Sequence, residues 1–365
     1  MSEPRPPGRS VAPDAPRVGA LPSGPLDLIS DVPGVQVGHA TLAEGDQQTG
    51  VTVVMPHTRD EFLYKTPAAV AVINGFGKSV GLMQLEELGV LETPIALTNT
   101  FSVGAVAAAQ IRDAVGRHRE IGRDWPTLSP LVFECNDGYL NDIQAMAVTA
   151  GHYADALRSA APEFSQGSVG AGRGMSCFGF KGGIGSASRV ATLADGRSFV
   201  VGALVLANFG RLPNLTIAGQ PLGRTLTATS EGSPAEPEKG SIIMIVATDA
   251  PLDTRQLGRV AKRSAAGLAR TGSVYGHGSG DIALAFSTAY QIPHRPHEPM
   301  PAVPMLHETH VDPLFDACAQ AVEQAIVHAM WRAEPVTGRD GHHRRAITEV
   351  VPHWRDLAHP QSSEE

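Results

Sequence analysis

The chain has 365 residues, 42% of them hydrophobic and 18% charged, a composition typical of a folded globular protein rather than a disordered one. Its formal net charge of −8, with no long Lys/Arg run, argues against a nucleic-acid-binding surface. No apolar run is long enough to span a membrane, and three widely spaced cysteines (Cys135, Cys177 and Cys318) favour a reducing compartment, with the cytoplasm as the predicted location.

The amino-terminal residues 1–26 are rich in Pro, Arg and Gly and contain no apolar run of signal-peptide length. They are predicted to form a flexible, disordered tail. Residues 27–365 are expected to form a single domain. Inside it, the Pro- and acid-rich loop 230–240 is the predicted boundary between two parts of the chain.

Six short apolar runs predict buried strands, at 68–73, 94–98, 130–134, 199–207, 241–248 and 281–287. Their apolar residues are continuous rather than alternating, which is typical of strands covered on both faces. Helical periodicity predicts four helices, at 103–115, 140–157, 257–268 and 314–330. The third has Asp253-Thr-Arg-Gln256 as its amino-terminal cap and Gly272 as its stop. Because the helices do not alternate strictly with the strands, a layered α+β fold is predicted rather than a doubly wound parallel sheet.

The join between loop 230–240 and the strand at 241–248 is the most informative position in the chain. A Gly240–Ser241 bond at this boundary is where a self-cleaving hydrolase would cut itself. The cut would free Ser241 as a new amino terminus that carries a hydroxyl nucleophile and an α-amine. Because such an amine has an ordinary pKa of about 8, part of it is unprotonated at neutral pH and can accept the hydroxyl proton. On spacing alone, an ordinary loop ending is the far commoner explanation of a Gly-Ser dipeptide before a strand.

Acidic residues gather just after the predicted strand 130–134. Glu134, Asp137 and Asp142 lie within nine residues of one another. A carboxylate at a strand end can hold the ammonium group of a substrate through strong charge-assisted hydrogen bonds. A solvated turn followed by a helix cap is the alternative interpretation.

Two other strand ends carry polar side chains that could take part in catalysis. Asn208 could donate a hydrogen bond to a developing oxyanion, although an Asn-Phe-Gly turn explains it too. Ser279 and Asp281 share a face if the segment is extended, so they could orient a proton near Ser241. A routine strand entry is the competing explanation.

The glycine-rich stretch 168–188 matches neither the dinucleotide fingerprint nor a P-loop. Its glycines are therefore expected to permit close backbone approach and positive φ angles rather than to cradle a phosphate. The histidines lack metal-site spacing and are expected to lie on the surface.

Several of these motifs occur together, and in the same order, in one known family. The chain resembles the L-aminopeptidase/D-esterase and β-peptidyl aminopeptidase family over most of its length. The landmarks are Ile29–His39, Glu134-Cys-Asn-Asp-Gly138, Lys181-Gly-Gly-Ile-Gly185, Gly240–Leu252, Leu284-Ala-Phe-Ser-Thr288 and Thr337-Gly-Arg-Asp-Gly341.

The resemblance implies a four-layer αββα sandwich similar to that of N-terminal nucleophile hydrolases, with different strand connectivity. It implies autocleavage between Gly240 and Ser241 into an α chain (1–240) and a β chain (241–365) that stay together. It further implies a homo-oligomer, a tetramer of cleaved protomers, and a reaction that needs no metal or organic cofactor.

The same resemblance assigns roles to five side chains. Ser241 corresponds to the nucleophile, with its freed amine or a side chain as the base. Asn208 corresponds to the oxyanion donor, and Ser279 with Asp281 to a supporting pair. Glu134 corresponds to the anchor for the free amino group of the substrate. The implied activity is removal of amino-terminal residues from small peptides, amides or esters.

Three positions depart from the family pattern. Asp281 stands where the family usually has Glu, so its carboxylate is one methylene shorter. Arg173 replaces a smaller polar residue, and Lys78 stands where an acid is expected. If either basic side chain lines the pocket, specificity would shift toward acidic or otherwise unusual substrates. Two alternatives stay open: an endo-acting oligoamide hydrolase or acyltransferase on this fold, and an unprocessed binding protein without catalytic activity.

Overall fold

The computed structural model describes residues 15–228 and 240–351. The predicted loop 230–240, except for Gly240, and residues 1–14 of the predicted tail lie outside the described residues. In chain order the strands are β1 Gln36–Glu44, β2 Gln47–Met55, β3 Tyr64–Gly75, β4 Val90–Leu91, β5 Ile95–Asn99, β6 Val132–Cys135, β7 Ser176–Cys177, β8 Phe180–Lys181, β9 Gly183–Thr192, β10 Ser198–Asn208, β11 Ser241–Thr248, β12 Gly280–Ser287, β13 Ile292–Pro293, β14 Val336–Thr337 and β15 His343–Arg344. The α-helices are α1 Leu82–Leu88, α2 Val103–Arg117, α3 Ala150–Arg158, α4 Leu222–Ala228, α5 Thr254–Arg270, α6 Asp312–Trp331 and α7 Ile347–Val350.

Two mixed sheets organise these strands. The smaller sheet has the order β1-β2-β5-β6, and the larger has the order β13-β3-β12-β11-β10-β9, with β4 paired to β3. In the larger sheet β11 runs antiparallel to β10 and parallel to β12. The segment that begins at Ser241 is therefore an inner strand.

The two sheets pack face to face, and the side chains of β11 contribute alternately to the cores on its two faces. Ile243 and Ile245 belong to the core between the sheets, together with Leu97 and Phe133 of the smaller sheet. Ile242 and Met244 point the other way, into the core formed with helices α5 and α6. Both faces are apolar because both are covered, which explains the continuous apolar run.

A third core completes the layers on the far side of the smaller sheet. There Val53 and Val132 pack against Val106 of α2 and Tyr153 of α3. The order of layers is thus α2/α3, the smaller sheet, the larger sheet, and α5/α6. This arrangement confirms the predicted α+β fold and its four-layer αββα form.

All six predicted strands are present, and three of the four predicted helices form close to their expected limits. The cap of α5 is as predicted: the Asp253 carboxylate accepts from Gln256 N, and Asp253 N donates to the Gln256 side chain. Gly272 adopts a φ of 104° just after this helix. Only glycine adopts such an angle readily, so it ends the helix as expected.

The predicted helix at 140–157 is wrong over its first half. The α-helix begins only at Ala150, and a short 3-10 turn occupies Ile143–Ala145. The Asp142 side chain accepts from Gln144 N, and Met146 has a φ of 46°. Local side-chain bonds from Asp compete with helical backbone bonds, which is why the periodicity was misleading here.

Two long regions of strand are absent from the sequence prediction, as are the two-residue strands β4, β7, β8, β13, β14 and β15. The hairpin β1–β2 was not predicted, and β9 lies in the glycine-rich stretch. Glycine is usually unfavourable in a strand, but a Cβ at Gly185 would lie 1.9 Å from Ala325 O of α6. The small residues of β9 therefore let helix α6 pack directly on its backbone.

Residues 15–26, the described part of the predicted tail, lie against the domain. Val18 is only 2% exposed, and its N–H donates to the Gln324 side chain of α6. The buried Arg189 side chain donates to Val18 O. The structure therefore differs from the predicted disorder over this stretch, because two buried polar side chains find their partners there.

Candidate active site

The site forms where Ser241 begins strand β11. In the sheet, Ser241 lies opposite Asn208 of β10 on one side and Gly280 of β12 on the other. Gly280 N donates a hydrogen bond to Ser241 Oγ over 3.1 Å. Both Ser241 and Asn208 are 7% exposed, so the hydroxyl lies in a largely desolvated position that still borders solvent.

The Asn208 side chain is fixed by two backbone groups from elsewhere in the fold. Its Oδ1 accepts from Ser176 N at 2.9 Å, and its Nδ2 donates to Asn136 O at 2.9 Å. Together these bonds determine which way the amide points, with its NH₂ group toward Asn136. An amide NH₂ carries two donors, so this one can also donate to a second acceptor beside Ser241.

Gly240 is confined by the neighbouring strand. A Cβ at this position would lie 2.2 Å from Asn208 O and 2.9 Å from Phe209 Cα. Side chains are never accommodated at such distances without backbone movement. The Gly240–Ser241 bond is thus held tightly against the end of β10, next to Asn208.

Ser279 and Asp281 flank Gly280, whose backbone N–H donates a hydrogen bond to Ser241 Oγ. Ser279 Oγ donates to Asp281 Oδ1 at 2.6 Å, and both residues are fully buried. Asn74, at the end of β3, donates to Ser279 O and so ties this turn to the adjacent strand. The shorter carboxylate of Asp281 therefore still reaches Ser279.

Glu134 lies at the end of β6 and is 3% exposed. Its Oε1 accepts from Lys78 N at 2.7 Å, and its Oε2 accepts from Thr100 Oγ1. A Cβ at Gly77 would lie 3.6 Å from Glu134 Oε1 and 3.9 Å from Gly280 Cα, so the carboxylate is close to the Ser241 side of the larger sheet.

Lys78 and Arg173, the two unexpected basic residues, have different surroundings. The backbone N–H of Lys78 donates to Glu134, while the Lys78 ammonium group lies 4.0 Å from the centre of the Phe76 ring. The Arg173 guanidinium donates to Gln48 Oε1 at 2.7 Å, and its pKa is lowered because the group is partly buried.

A buried lysine supports the turn that holds Asn208. Lys181 Nζ donates to three backbone carbonyl oxygens, those of Gly172, Met175 and Gly182, each at 2.9 Å. The side chain is fully buried, and burial lowers its pKa well below the ordinary value. These bonds fix the backbone directly before Ser176, whose N–H orients Asn208.

Sequence reasoning did not assign roles to Ser176, Asn136 or Lys181. Ser176 and Asn136 act through main-chain groups, which leave no side-chain signature. A lysine among glycines was a signal, but its acceptors are carbonyl groups that only the fold brings together. Among residues 15–228 and 240–351 there is no group of three or more His, Cys, Asp or Glu side chains arranged to hold a metal ion.

Comparison with known proteins finds one family over most of the chain. The profile of peptidase family S58 matches residues 27–344. The β-peptidyl aminopeptidase BapA of Sphingosinicella microcystinivorans is 39% identical over 346 residues, which cover 87% of this chain and 85% of that protein.

Solved structures show the same likeness. The PH0078 protein from Pyrococcus horikoshii OT3 is 45% identical with a TM-score of 0.87, covering 94% of this chain and 98% of that one. The L-aminopeptidase D-Ala-esterase/amidase from Ochrobactrum anthropi is 36% identical with a TM-score of 0.83, covering 94% and 98%. That structure is described as a prototype for the serine aminopeptidases and a variant of the Ntn hydrolase fold.

The fold and the family define a hydrolase of the serine aminopeptidase class. The chain belongs to peptidase family S58. Within the described parts of the chain, none of the helices has the length and apolarity needed to cross a membrane.

Asp137 generates a prediction about pH. Burial raises its pKa to about 7, against opposing hydrogen bonds from Thr49 and Asn141. The folded state therefore binds a proton that the unfolded state releases near pH 4, so stability falls as the pH rises from about 4 to about 7. Between pH 5 and pH 7 the wild type should lose about 2 kcal/mol of unfolding free energy relative to Asp137→Asn.

Urea unfolding at a series of pH values measures this difference. Asp124→Asn, at an exposed position, is the control and should follow the wild type. Parallel stability curves for the wild type and Asp137→Asn would show that the Asp137 pKa is not raised.

Proposed function

We propose that this protein is an autoproteolytically activated serine aminopeptidase/amidase that releases amino-terminal residues from small peptides, amides or esters through an acyl-enzyme on Ser241. The observation that carries the proposal is the position of Ser241. It begins an inner strand directly after a sterically confined glycine, between Asn208 and Gly280.

Activation begins with the Gly240–Ser241 bond. Ser241 Oγ attacks the Gly240 carbonyl carbon, and the peptide nitrogen leaves as the amine of Ser241, which gives an ester between Gly240 and Ser241 Oγ. Water then hydrolyses this ester, so that Gly240 ends in a carboxylate and Ser241 carries a free α-amine and a free hydroxyl. The confinement of Gly240 against the backbone of Asn208 supports this step because it limits the conformations of the scissile bond.

In turnover the freed α-amine takes the Ser241 proton as Oγ attacks the substrate carbonyl. The Asn208 amide donates to the developing oxyanion, a contribution of about 3–4 kcal/mol for one such donor. The leaving amine accepts the proton, and the acyl group stays on Oγ until water or another amine takes it. Ser279 and Asp281 act as the supporting pair. Their hydrogen bond stabilises the turn from which Gly280 N donates to Ser241 Oγ.

Glu134 makes the reaction an aminopeptidase reaction. A carboxylate has about four acceptor positions, and Lys78 N and Thr100 Oγ1 occupy two of them in fixed directions. The carboxylate is thus held still and can accept a substrate ammonium group. The activities for which the relatives are named, those of a β-peptidyl aminopeptidase and an L-aminopeptidase D-Ala-esterase/amidase, support the same substrate classes.

The oligomeric state and the cytoplasmic location stay predictions. Several large apolar side chains are exposed, among them Met83, Leu88, Phe101 and Met146. Exposed apolar surface of this kind supports assembly of the cleaved protomers into a homo-oligomer.

Replacement of the nucleophile tests the proposal directly. Ser241→Ala should abolish hydrolysis of aminoacyl p-nitroanilides, because the acyl-enzyme cannot form. Release of p-nitroaniline, followed by absorbance, measures this. Ser198→Ala, an exposed serine of β10, is the matched control and should keep the wild-type rate. Amidase activity retained by Ser241→Ala would remove Ser241 as the nucleophile.

Glu134 distinguishes an aminopeptidase from an endo-acting hydrolase. The wild type should cleave substrates with a free amine and leave their N-acetylated analogues intact. Glu134→Gln should lower kcat/KM for the free-amine substrate about 10- to 100-fold, because an ammonium group loses its charged partner. The exposed Glu86→Gln is the control and should change nothing. Equal cleavage of free and acetylated substrates by the wild type would favour the endo-acting alternative.

A further inference from the structure

One peptide group links the buried Lys181 side chain to the Asn208 amide. The carbonyl oxygen of Met175 accepts from Lys181 Nζ at 2.9 Å. The N–H of Ser176, at the other end of the same peptide group, donates to Asn208 Oδ1 at 2.9 Å. Because a peptide group is planar, a bond that fixes its carbonyl also fixes the direction of its N–H. Lys181 therefore acts on Asn208 through a single rigid unit.

The surroundings of Lys181 Nζ match an ammonium group. Besides Met175 O, the carbonyl oxygens of Gly172 and Gly182 accept from Nζ, each at 2.9 Å. An ammonium group has three N–H donors, whereas a neutral amine has two N–H donors and a lone pair. The three acceptors are therefore all satisfied only when Lys181 carries its proton. Loss of that proton would turn a lone pair toward a carbonyl oxygen.

The environment of Lys181 makes this proton easier to lose than that of an exposed lysine. Burial is the main influence on the Lys181 pKa and lowers it well below the ordinary value. The Arg173 guanidinium lowers this pKa further, whereas Asp137 and Cys177 raise it. The ammonium form is thus lost at a lower pH than it is for a lysine in water.

The charge of Lys181 also acts along this chain of hydrogen bonds. A cation on a carbonyl oxygen polarises the peptide group and strengthens its N–H as a donor, and hydrogen bonds linked in this way reinforce one another. The N–H of Ser176 then draws electron density from the Asn208 side chain. The second N–H of Asn208 Nδ2, the one that does not donate to Asn136 O, becomes a stronger donor as a result.

We propose that Lys181 is a positioning residue for the reaction, and that it acts as an ammonium group on Asn208 through the peptide group between Met175 and Ser176. The proposal rests on the proposed function, in which Asn208 is the oxyanion donor. The contribution of Lys181 arises where the oxyanion forms, in the transition state, and not in substrate binding.

Lys181→Met, which keeps most of the side chain's length and removes its N–H donors, tests the proposal. On an aminoacyl p-nitroanilide, kcat per cleaved Ser241 terminus should fall about 10- to 100-fold, a part of the 10²- to 10³-fold that about one oxyanion donor contributes, while KM changes less than about twofold. Lys262→Met, at an exposed position of α5, is the matched control and should keep the wild-type kcat. A wild-type kcat in Lys181→Met, a loss confined to KM, or an equal loss in Lys262→Met would overturn the proposal.

The pH dependence of the wild type decides the matter even if Lys181→Met does not fold or mature. At saturating substrate, and where circular dichroism shows a folded protein, kcat should fall in an alkaline step centred below about pH 10.4, the ordinary lysine pKa, because the ammonium form is lost. Lys181→Met should lack this step, and Lys262→Met should keep it. A wild-type kcat that stays constant up to about pH 10.4 would contradict the proposal. Absence of hydrolysis by the wild type at every pH would instead count against the aminopeptidase function itself.

Discussion

The register between β10 and β11 is the constraint on which the rest of the site depends. It pairs Asn208 with Ser241, and the parallel pairing of β11 with β12 brings Gly280 to the other side of the same hydroxyl. A shift by one residue would turn every side chain of β11 to the opposite face of the sheet. Because both faces of this strand are buried in different cores, such a shift is strongly disfavoured, and Ser241 is held in place by the packing of two hydrophobic cores.

Main-chain groups provide the second level of support. Ser176 N and Asn136 O orient the Asn208 amide, and Lys181 in turn holds the backbone before Ser176 through three carbonyl groups. Burying the amino group of a lysine is costly unless hydrogen bonds compensate the loss of water. The three backbone acceptors of Lys181 supply these bonds, and the same bonds fix the turn. The Asn208 amide is thus oriented before any substrate arrives, and such preorganisation is the condition under which an oxyanion donor, the role proposed for Asn208, is most effective.

Much of the fold followed from the sequence, and the reasons are visible in particular residues. The apolar run after Ser241 and the capping box at Asp253 are local signals, and both gave the right element. The helix predicted from residue 140 failed because Asp142 makes local bonds that compete with a helix. Strand β9 was missed because glycine is usually unfavourable in strands. Glycine is needed at position 185 because helix α6 packs directly on the backbone there, a contact that arises only in the packed structure.

In the site, too, side chains with a local sequence signal were predicted, whereas features that depend on tertiary contacts were not. Motifs predicted roles for Ser241, Asn208, Ser279, Asp281 and Glu134, and the structure brings these residues together near the start of β11. Their supports could not be identified in this way, because a backbone N–H or carbonyl has no sequence signature.

The central claim is that the Gly240–Ser241 bond is cut by the protein itself, and intact mass spectrometry of the purified, denatured protein tests it most directly. The account predicts two species of about 25 and about 13 kDa, scaled from a chain mass of 38.3 kDa, with the smaller beginning at Ser241. The Ser241→Ala protein should remain one species. A wild-type protein that stays a single chain of 38.3 kDa after long incubation, yet hydrolyses aminoacyl amides, would contradict the account.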